Sequence, residues 1–342
     1  MTSPVHHVAL LGGGTIGLSM LALHLRRPDT TVTLYDPRPD IETQLRSTLP
    51  TFLTIPSTSP DTLVDTLLSN KRLAIARTLE SALESATIIQ EQSPETLPSK
   101  QALWASVATY ANENAHLWSS SSGIPATKQA AIAGPTVARR LVVVHPFNPP
   151  HVMPLIEIVP GLETADERVD FVKRYFSEVP GPEGVAAESA SALTKHYRPV
   201  VLHKEVPGFV GNRLAFALLR EACYLVGEGV VEARDLDTLI KASLGPRWAG
   251  SGVFESYHAG GGEGGIGAFL EKLSSTIGEV WGDLGQIEVS VSGQSREQKD
   301  ETWRDMVVKQ TEEAYGPSVS ADDRKKKETL LNGVIGLQKQ DM

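Results

Sequence analysis

The chain has 342 residues, 41% of them hydrophobic, and a formal net charge of -9. That is enough apolar material for a full core and enough length to favour two domains over one. The acidic balance leaves no broad basic surface for nucleic acid or an anionic membrane, since the dense basic run Arg324 to Lys327 is matched by Asp322 and Asp323 beside it. Cys223 is the single cysteine, so no intrachain disulfide can form and a reducing compartment fits. With no secretory leader, membrane-span window or C-terminal sorting signal legible, the cytoplasm is the expected location.

Val8 to Leu11 reads as a short strand that runs directly into Gly12-Gly13-Gly14-Thr15-Ile16-Gly17, and Leu18 to Leu25 continues with helical spacing. In this strand, turn and helix, Gly12 permits the tight turn and Gly14 lets the backbone approach a pyrophosphate. Gly17 lets the helix pack on the strand, and the free amides of the helix start, around Thr15 and Ile16, face the phosphates. The next strand, Thr31 to Tyr35, ends in Asp36, roughly 20 residues beyond the glycines, where an acid grips the adenosine ribose hydroxyls. A dinucleotide site is expected. Asp36 repels the extra phosphate of NADP and so favours NAD, while the nearby Arg38 leaves NADP open.

From Pro50 to Pro60 the Thr, Ser and Pro content reads as an exposed connection, followed by a helix from Asp61 to Leu68. Strands recur at Leu73–Ala76, Ile88–Gln90, Leu117–Trp118 and Leu141–Val144, separated by helical patterns such as Pro98 to Ala111. Such alternation predicts an α/β fold with a mostly parallel, doubly wound, Rossmann-like sheet. Ligands of such sheets bind beyond the carboxyl ends of the strands, and both Ser119–Ser122 and His145 fall at such ends.

His145 to Glu157 reads as two short strands joined by a proline-stiffened loop. Alternation puts Leu155, Glu157 and Val159 on one face, where a carboxylate is costly to bury without a partner. His145 is the candidate. An imidazole oriented by a carboxylate is a general acid/base that titrates near neutral pH; the alternative is a satisfied structural pair. The remaining histidines lack metal-ligand spacing, and Trp104, Trp118, Trp248 and Trp281 read as core residues.

An amphipathic helix from Ala165 to Glu178 and a last strand around Val200 to Leu202 follow, and Val206-Pro207-Gly208 then punctuates the chain. Beyond it Phe209–Val226, Glu232–Ser243, Ile266–Ile277 and Glu301–Ala314 read as helices. The glycine cluster Ala259 to Gly267 reads as a turn, and Gly282 to Gln298 as a polar connection. The expected organisation is a nucleotide-binding domain over 1–205 and an all-α domain over 206–342.

Taken together, Gly12-x-Gly14-x-x-Gly17, Asp36, Pro94-Glu95 followed by Lys100, the serine run ending Ser122-Gly123, His145-Pro-Phe-Asn148-Pro, Glu157 and Pro207-Gly-Phe-Val-Gly-Asn212-Arg resemble the 3-hydroxyacyl-CoA dehydrogenase superfamily. Asn148-Pro149-Pro150, Leu244-Gly-Pro-Arg247-Trp248-Ala249 and the Gly261 to Gly265 stretch look more like its branch of L-gulonate 3-dehydrogenase, λ-crystallin and L-carnitine dehydrogenase. The resemblance implies a general base at His145 oriented by Glu157. It places Ser122 and Asn148 on the reacting oxygen or the nicotinamide side, Asn212 on the substrate, and Glu95 and Lys100 near the cofactor ribose and nicotinamide. It also implies a homodimer formed through the helical domain. Thr96 and Gly211 stand where the family usually has Asn and a larger residue, and the Ser122-to-His145 spacing is slightly long, which keeps Ser121 as the alternative serine.

The expected activity is therefore NAD-dependent, reversible oxidation of a 3-hydroxy group on a small hydroxy acid. Arg247 is the candidate reader of a free substrate carboxylate, because a guanidinium binds one through two parallel hydrogen bonds. A short-chain 3-hydroxyacyl-CoA thioester is the alternative substrate, and a dinucleotide-binding structural protein the alternative of another class.

Overall fold

The computed structural model describes residues 6–55, 58–179, 197–287 and 302–337. His196, most of the expected polar connection before Gln298 and the Arg324 side chain lie outside the described residues. The chain divides into two compact units, Met1–Asn212 and Arg213–Asp341.

In the first unit the elements run β1 (His6–Leu11), α1 (Thr15–Leu25), β2 (Thr30–Tyr35), α2 (Ile41–Phe52), α3 (Leu63–Ser69), β3 (Leu73–Ala76), α4 (Leu79–Leu83), β4 (Ile88–Glu91), α5 (Leu97–Tyr110) and β5 (His116–Ser119). They continue with α6 (Ala126–Ala130), α7 (Pro135–Ala138), β6 (Leu141–Pro146), β7 (Leu155–Pro160), α8 (Asp166–Glu178) and β8 (Arg198–Val201). The eight strands among the described residues form one sheet in the order β3-β2-β1-β4-β5-β6-β7-β8. Neighbours are parallel throughout except β6 and β7, which pair antiparallel. The mostly parallel, doubly wound expectation holds.

Strand alternation sorts the core into two layers. Val8, Leu10, Ile88, Trp118, Val142, Val144, Ile156 and Ile158 pack under α1, α2, α3 and α8, in one cluster with Leu18, Leu45, Leu63 and Phe176. Their neighbours Ala9, Leu11, Ile89, Leu117, Leu141, Val143 and Val159 pack under α4 to α7 with Leu83, Trp104, Ala126 and Val137. Being buried on both faces, the strands read as near-continuous apolar runs. His24, buried on α1, bonds Tyr175 Oη through Nδ1 at 2.8 Å and Gln90 Oε1 through Nε2 at 2.6 Å. Burial lowers the His24 pKa to about 4, so the ring stays neutral.

The expected connection from Pro50 is corrected at its start, because α2 runs on to Phe52 with Pro50 inside it. Proline is tolerated near that end because Leu45 and Leu49, fully buried, hold the helix against the core.

The second unit is helical: α9 (Gly211–Gly227), begun in the first unit, then α10 (Ala233–Ala242), α11 (Leu244–Gly250), α12 (Val253–Gly260), α13 (Gly265–Asp283), α14 (Thr302–Tyr315) and α15 (Ala321–Leu337). α11, α12 and α15 were not legible as helices, the first two for their glycines and Pro246 and the third for its polar opening, Ala321 to Lys327. Trp104 and Trp118 are core residues, but Trp248 and Trp281 are 38% and 70% exposed, which corrects the expectation for those two. They lie on helices whose apolar faces are not covered among the described residues. No helix among the described residues is long and apolar enough to cross a membrane.

Phe176 on α8 is fully buried, with its ring 5.5 Å from that of Trp118 and 5.2 Å from that of Tyr175. Phe176→Ala is expected to destabilise the first unit by about 3–5 kcal/mol; a lower denaturation midpoint by circular dichroism checks it.

Candidate active site

β1 delivers the chain to Gly12, whose φ of +107° only glycine adopts readily. Gly17 is required by contact: a Cβ there would sit 1.9 Å from the Gly12 carbonyl oxygen. A Cβ on Gly14 would meet nothing within 4 Å, so this edge of the turn stays open, and no side chain caps α1 behind it. Thr15 is exposed in the first turn of α1 and Ile16 half-buried. Beside the turn, at the end of β2, Asp36 Oδ2 accepts the Gly13 amide at 2.7 Å. Burial pushes its carboxyl up, but bonds from Arg38 and the Gly13 amide outweigh that and bring the pKa down to about 2. An open glycine turn, an uncapped helix start and an ionised acid at the next strand end fit a dinucleotide: phosphates at Gly14, Thr15, Ile16 and Gly17, ribose at Asp36.

A cavity of about 360 Å³ lies at the carboxyl ends of the central strands. Its walls include Ile16, Glu95, Ser122, His145, Asn148 and Asn212. His145, near the end of β6, stands directly opposite Glu157 of β7 in the antiparallel register. Both are buried, and His145 Nδ1 lies 2.7 Å from Glu157 Oε2. The other oxygen, Oε1, accepts the amides of Val210 at 3.1 Å and Gly211 at 2.9 Å. Burial raises the Glu157 pKa, and the bonds from His145 and those amides overcome it, so the carboxyl stays below its ordinary value. A proton on Nδ1 bridging to Glu157 leaves Nε2 as the basic nitrogen.

Gly211 packs directly under the ring that follows His-Pro: with Phe147 as placed, a Cβ there would lie 2.1 Å from its Cζ. Asn212, next in the chain, donates through Nδ2 to the Ser122 carbonyl at 2.9 Å.

The serine loop hangs on Glu95. Its Oε1 accepts Ser121 Oγ at 2.6 Å, the Ser122 amide at 2.9 Å and Ser122 Oγ at 3.3 Å. Ser121 is buried, and its hydroxyl also accepts the Gly123 and Ile124 amides. Ser122 is exposed on the cavity wall. Lys100, 1% exposed, holds Glu91 at 2.9 Å and Glu95 at 3.1 Å. Its ammonium is thus engaged by two carboxylates beneath the loop.

Glu91 escaped the sequence reading. Fully buried at the end of β4, it accepts hydrogen bonds from Ser119 Oγ, from Ser93 Oγ and from Lys100. The available signal was akin to the one that exposed Glu157, a carboxylate set in an apolar run. Arg247 lies exposed on α11, in the second unit. No group of His, Cys, Asp and Glu among the described residues is arranged to hold a metal ion.

Residues 7–190 match the family model "3-hydroxyacyl-CoA dehydrogenase, NAD binding domain", and residues 208–281 match "3-hydroxyacyl-CoA dehydrogenase, C-terminal domain". An L-carnitine dehydrogenase of Streptomyces coelicolor is 36% identical over 84% of this chain and 85% of its own. A 3-hydroxyacyl-CoA dehydrogenase of Gibberella moniliformis is 34% identical over 81% of this chain and 80% of its own. Among solved structures, an NAD+-dependent 5-formyl-3-hydroxy-2-methylpyridine 4-carboxylic acid 5-dehydrogenase shares the fold, with a TM-score of 0.72, 23% identity, and coverage of 98% of this chain and 97% of that one. With both halves of the chain matched in order, and relatives this similar along most of its length, the protein belongs to the 3-hydroxyacyl-CoA dehydrogenase family and is an NAD-dependent oxidoreductase.

Proposed function

We propose that the protein reversibly oxidises the 3-hydroxy group of a small free hydroxy acid, of the carnitine or gulonate kind, to the 3-keto product. The observation that carries this reading is the buried His145–Glu157 pair opening on a cavity beside the glycine turn. NAD, when bound, supplies the hydride acceptor. His145 Nε2 takes the hydroxyl proton as the C–H bond delivers its electron pair and the carbonyl forms; in the reverse direction it returns the proton. Glu157 fixes the tautomer and stabilises the imidazolium. Ser122 and Asn148 orient the reacting oxygen, Asn212 contacts the substrate, Glu95 and Lys100 shape the nicotinamide side, and Arg247 reads the substrate carboxylate.

Similarity to the carnitine dehydrogenases supports a free acid, and similarity to the Gibberella moniliformis protein supports a thioester as the second reading. NADH formation from L-carnitine, L-gulonate, L- and D-3-hydroxybutyrate and L-3-hydroxybutyryl-CoA separates them. Turnover is expected on a free acid and not on the thioester, with Arg247→Met raising KM for that acid; the opposite pattern would move the substrate to the acyl-CoA side. NADH binding without any turnover would favour a structural role. His145→Gln is expected to retain NADH and lose about 100- to 10,000-fold in kcat; wild-type turnover in that variant would end the assignment.

The depressed Glu157 pKa has a stability consequence of definite sign. The native state binds this proton less readily than the unfolded chain, so the contribution is fully present above the ordinary value of 4.5 and is lost as pH falls through the folded value below it. The melting-temperature gap between the wild type and Glu157→Gln should therefore be widest near neutrality and narrow in acid. A gap independent of pH would contradict this.

A cytoplasmic homodimer is the proposed state. The lone cysteine supports the compartment, and the uncovered apolar residues Phe216 (60% exposed), Leu219 (55%) and Phe254 (78%) support the assembly. Sedimentation equilibrium should give the mass of two chains, and the double variant Phe216→Asp, Leu219→Asp the mass of one. A wild-type monomer at micromolar concentration would remove the dimer.

A further inference from the structure

Asp36 is already saturated. Its Oδ1 accepts the Arg38 amide at 3.0 Å and Arg38 Nε at 2.8 Å. Its Oδ2 accepts the Gly13 amide at 2.7 Å and Arg38 Nη2 at 2.8 Å. A carboxylate offers about four acceptor sites, so none is left for a ribose. Two adjacent guanidinium N–H groups, one on each oxygen, make the same fork that two vicinal ribose hydroxyls would make on this acid. The side chain of the acid is 7% exposed and that of the arginine 42%. Asp36 is therefore the fixed member of the pair and Arg38 the replaceable one. The third guanidinium nitrogen, Nη1, donates to Gln44 Oε1 at 3.0 Å on α2, which tethers the cation at the edge of the site.

We propose that Arg38 sets nucleotide selectivity by standing in for the adenosine ribose. NAD must displace the guanidinium from Asp36 in order to bind, which weakens NAD binding. The displaced cation, still beside Gln44, is placed to pair with a 2′-phosphate and to offset the repulsion that Asp36 exerts on it. The residue thus narrows the preference for NAD over NADP that Asp36 alone would impose. Its exposure makes this affordable, because an ion pair in contact with water is weak and exchanges readily.

The inference rests on the dinucleotide assignment, and the test separates the two. Direct fluorescence titrations with NADH and NADPH on the wild type, Arg38→Met and Arg38→Gln read binding without turnover. Both variants are expected to bind NADH about threefold more tightly and NADPH about tenfold more weakly, each decade of affinity being about 1.4 kcal/mol. An NADH-to-NADPH affinity ratio that stays the same or narrows in the variants overturns the role of Arg38, as does weaker NADH binding. A wild type that binds neither nucleotide removes the cofactor site and this inference with it.

Discussion

The antiparallel pairing of β6 with β7 is the constraint on which the geometry of the candidate site depends. Every other neighbouring pair in the sheet is parallel, the arrangement that a helix-crossover fold imposes. Between Pro146 and Leu155 the chain is too short for a crossover helix and is stiffened by Pro149, Pro150 and Pro154, so β7 turns straight back along β6. That reversal sets Glu157 directly across from His145 on the same face, where the two side chains meet. The catalytic candidate pair is in this sense a product of loop length.

Having been placed inside, Glu157 has to remain ionised there. One partner would leave half of its acceptors dry, and a buried, half-satisfied carboxylate is costly. The amides of Val210 and Gly211 complete the set, and they can do so because Phe147 and a residue without a side chain at 211 let the start of α9 come close. Glu91 follows the same logic on β4. Lys100, Ser93 and Ser119 satisfy it, and through Lys100 the arrangement extends to Glu95 and the serine loop. Two buried acids, one interrupting an apolar strand and one closing it, thereby organise the two sides of one cavity.

The parts legible in the sequence were those in which one residue type carries its reason locally. Gly12 and Gly17 announce a turn and a close approach, Asp36 ends the next strand, and Glu157 interrupts an apolar run opposite a histidine. Apolar alternation placed the strands within a few residues of their positions. Partnership at a distance was not legible. Nothing local says that Lys100 lies under its loop rather than in solvent, that Ser121 pins the loop while Ser122 faces the cavity, or that Trp248 and Trp281 sit on uncovered helix faces. Helical periodicity shows that a stripe will be buried against something, and it does not say whether that surface belongs to the same chain.

Asp36 and Glu157 show how burial of the partner separates a permanent contact from an exchangeable one. Each acid is nearly inaccessible and accepts bonds from backbone amides and from one basic side chain. The imidazole beside Glu157 is buried like the acid itself, so parting them would leave both groups dry in the interior and costs far more than their mutual attraction in water suggests. The guanidinium on Asp36 is partly in water, and on leaving it recovers hydration while the incoming hydroxyls replace its bonds. In the proposed reaction the first pair would therefore stay in place and transfer a proton without reorganising, as a positioned base requires. The second pair can open each time a nucleotide enters or leaves, as a binding site requires. The same charge chemistry serves both purposes, and exposure of the cation decides between them.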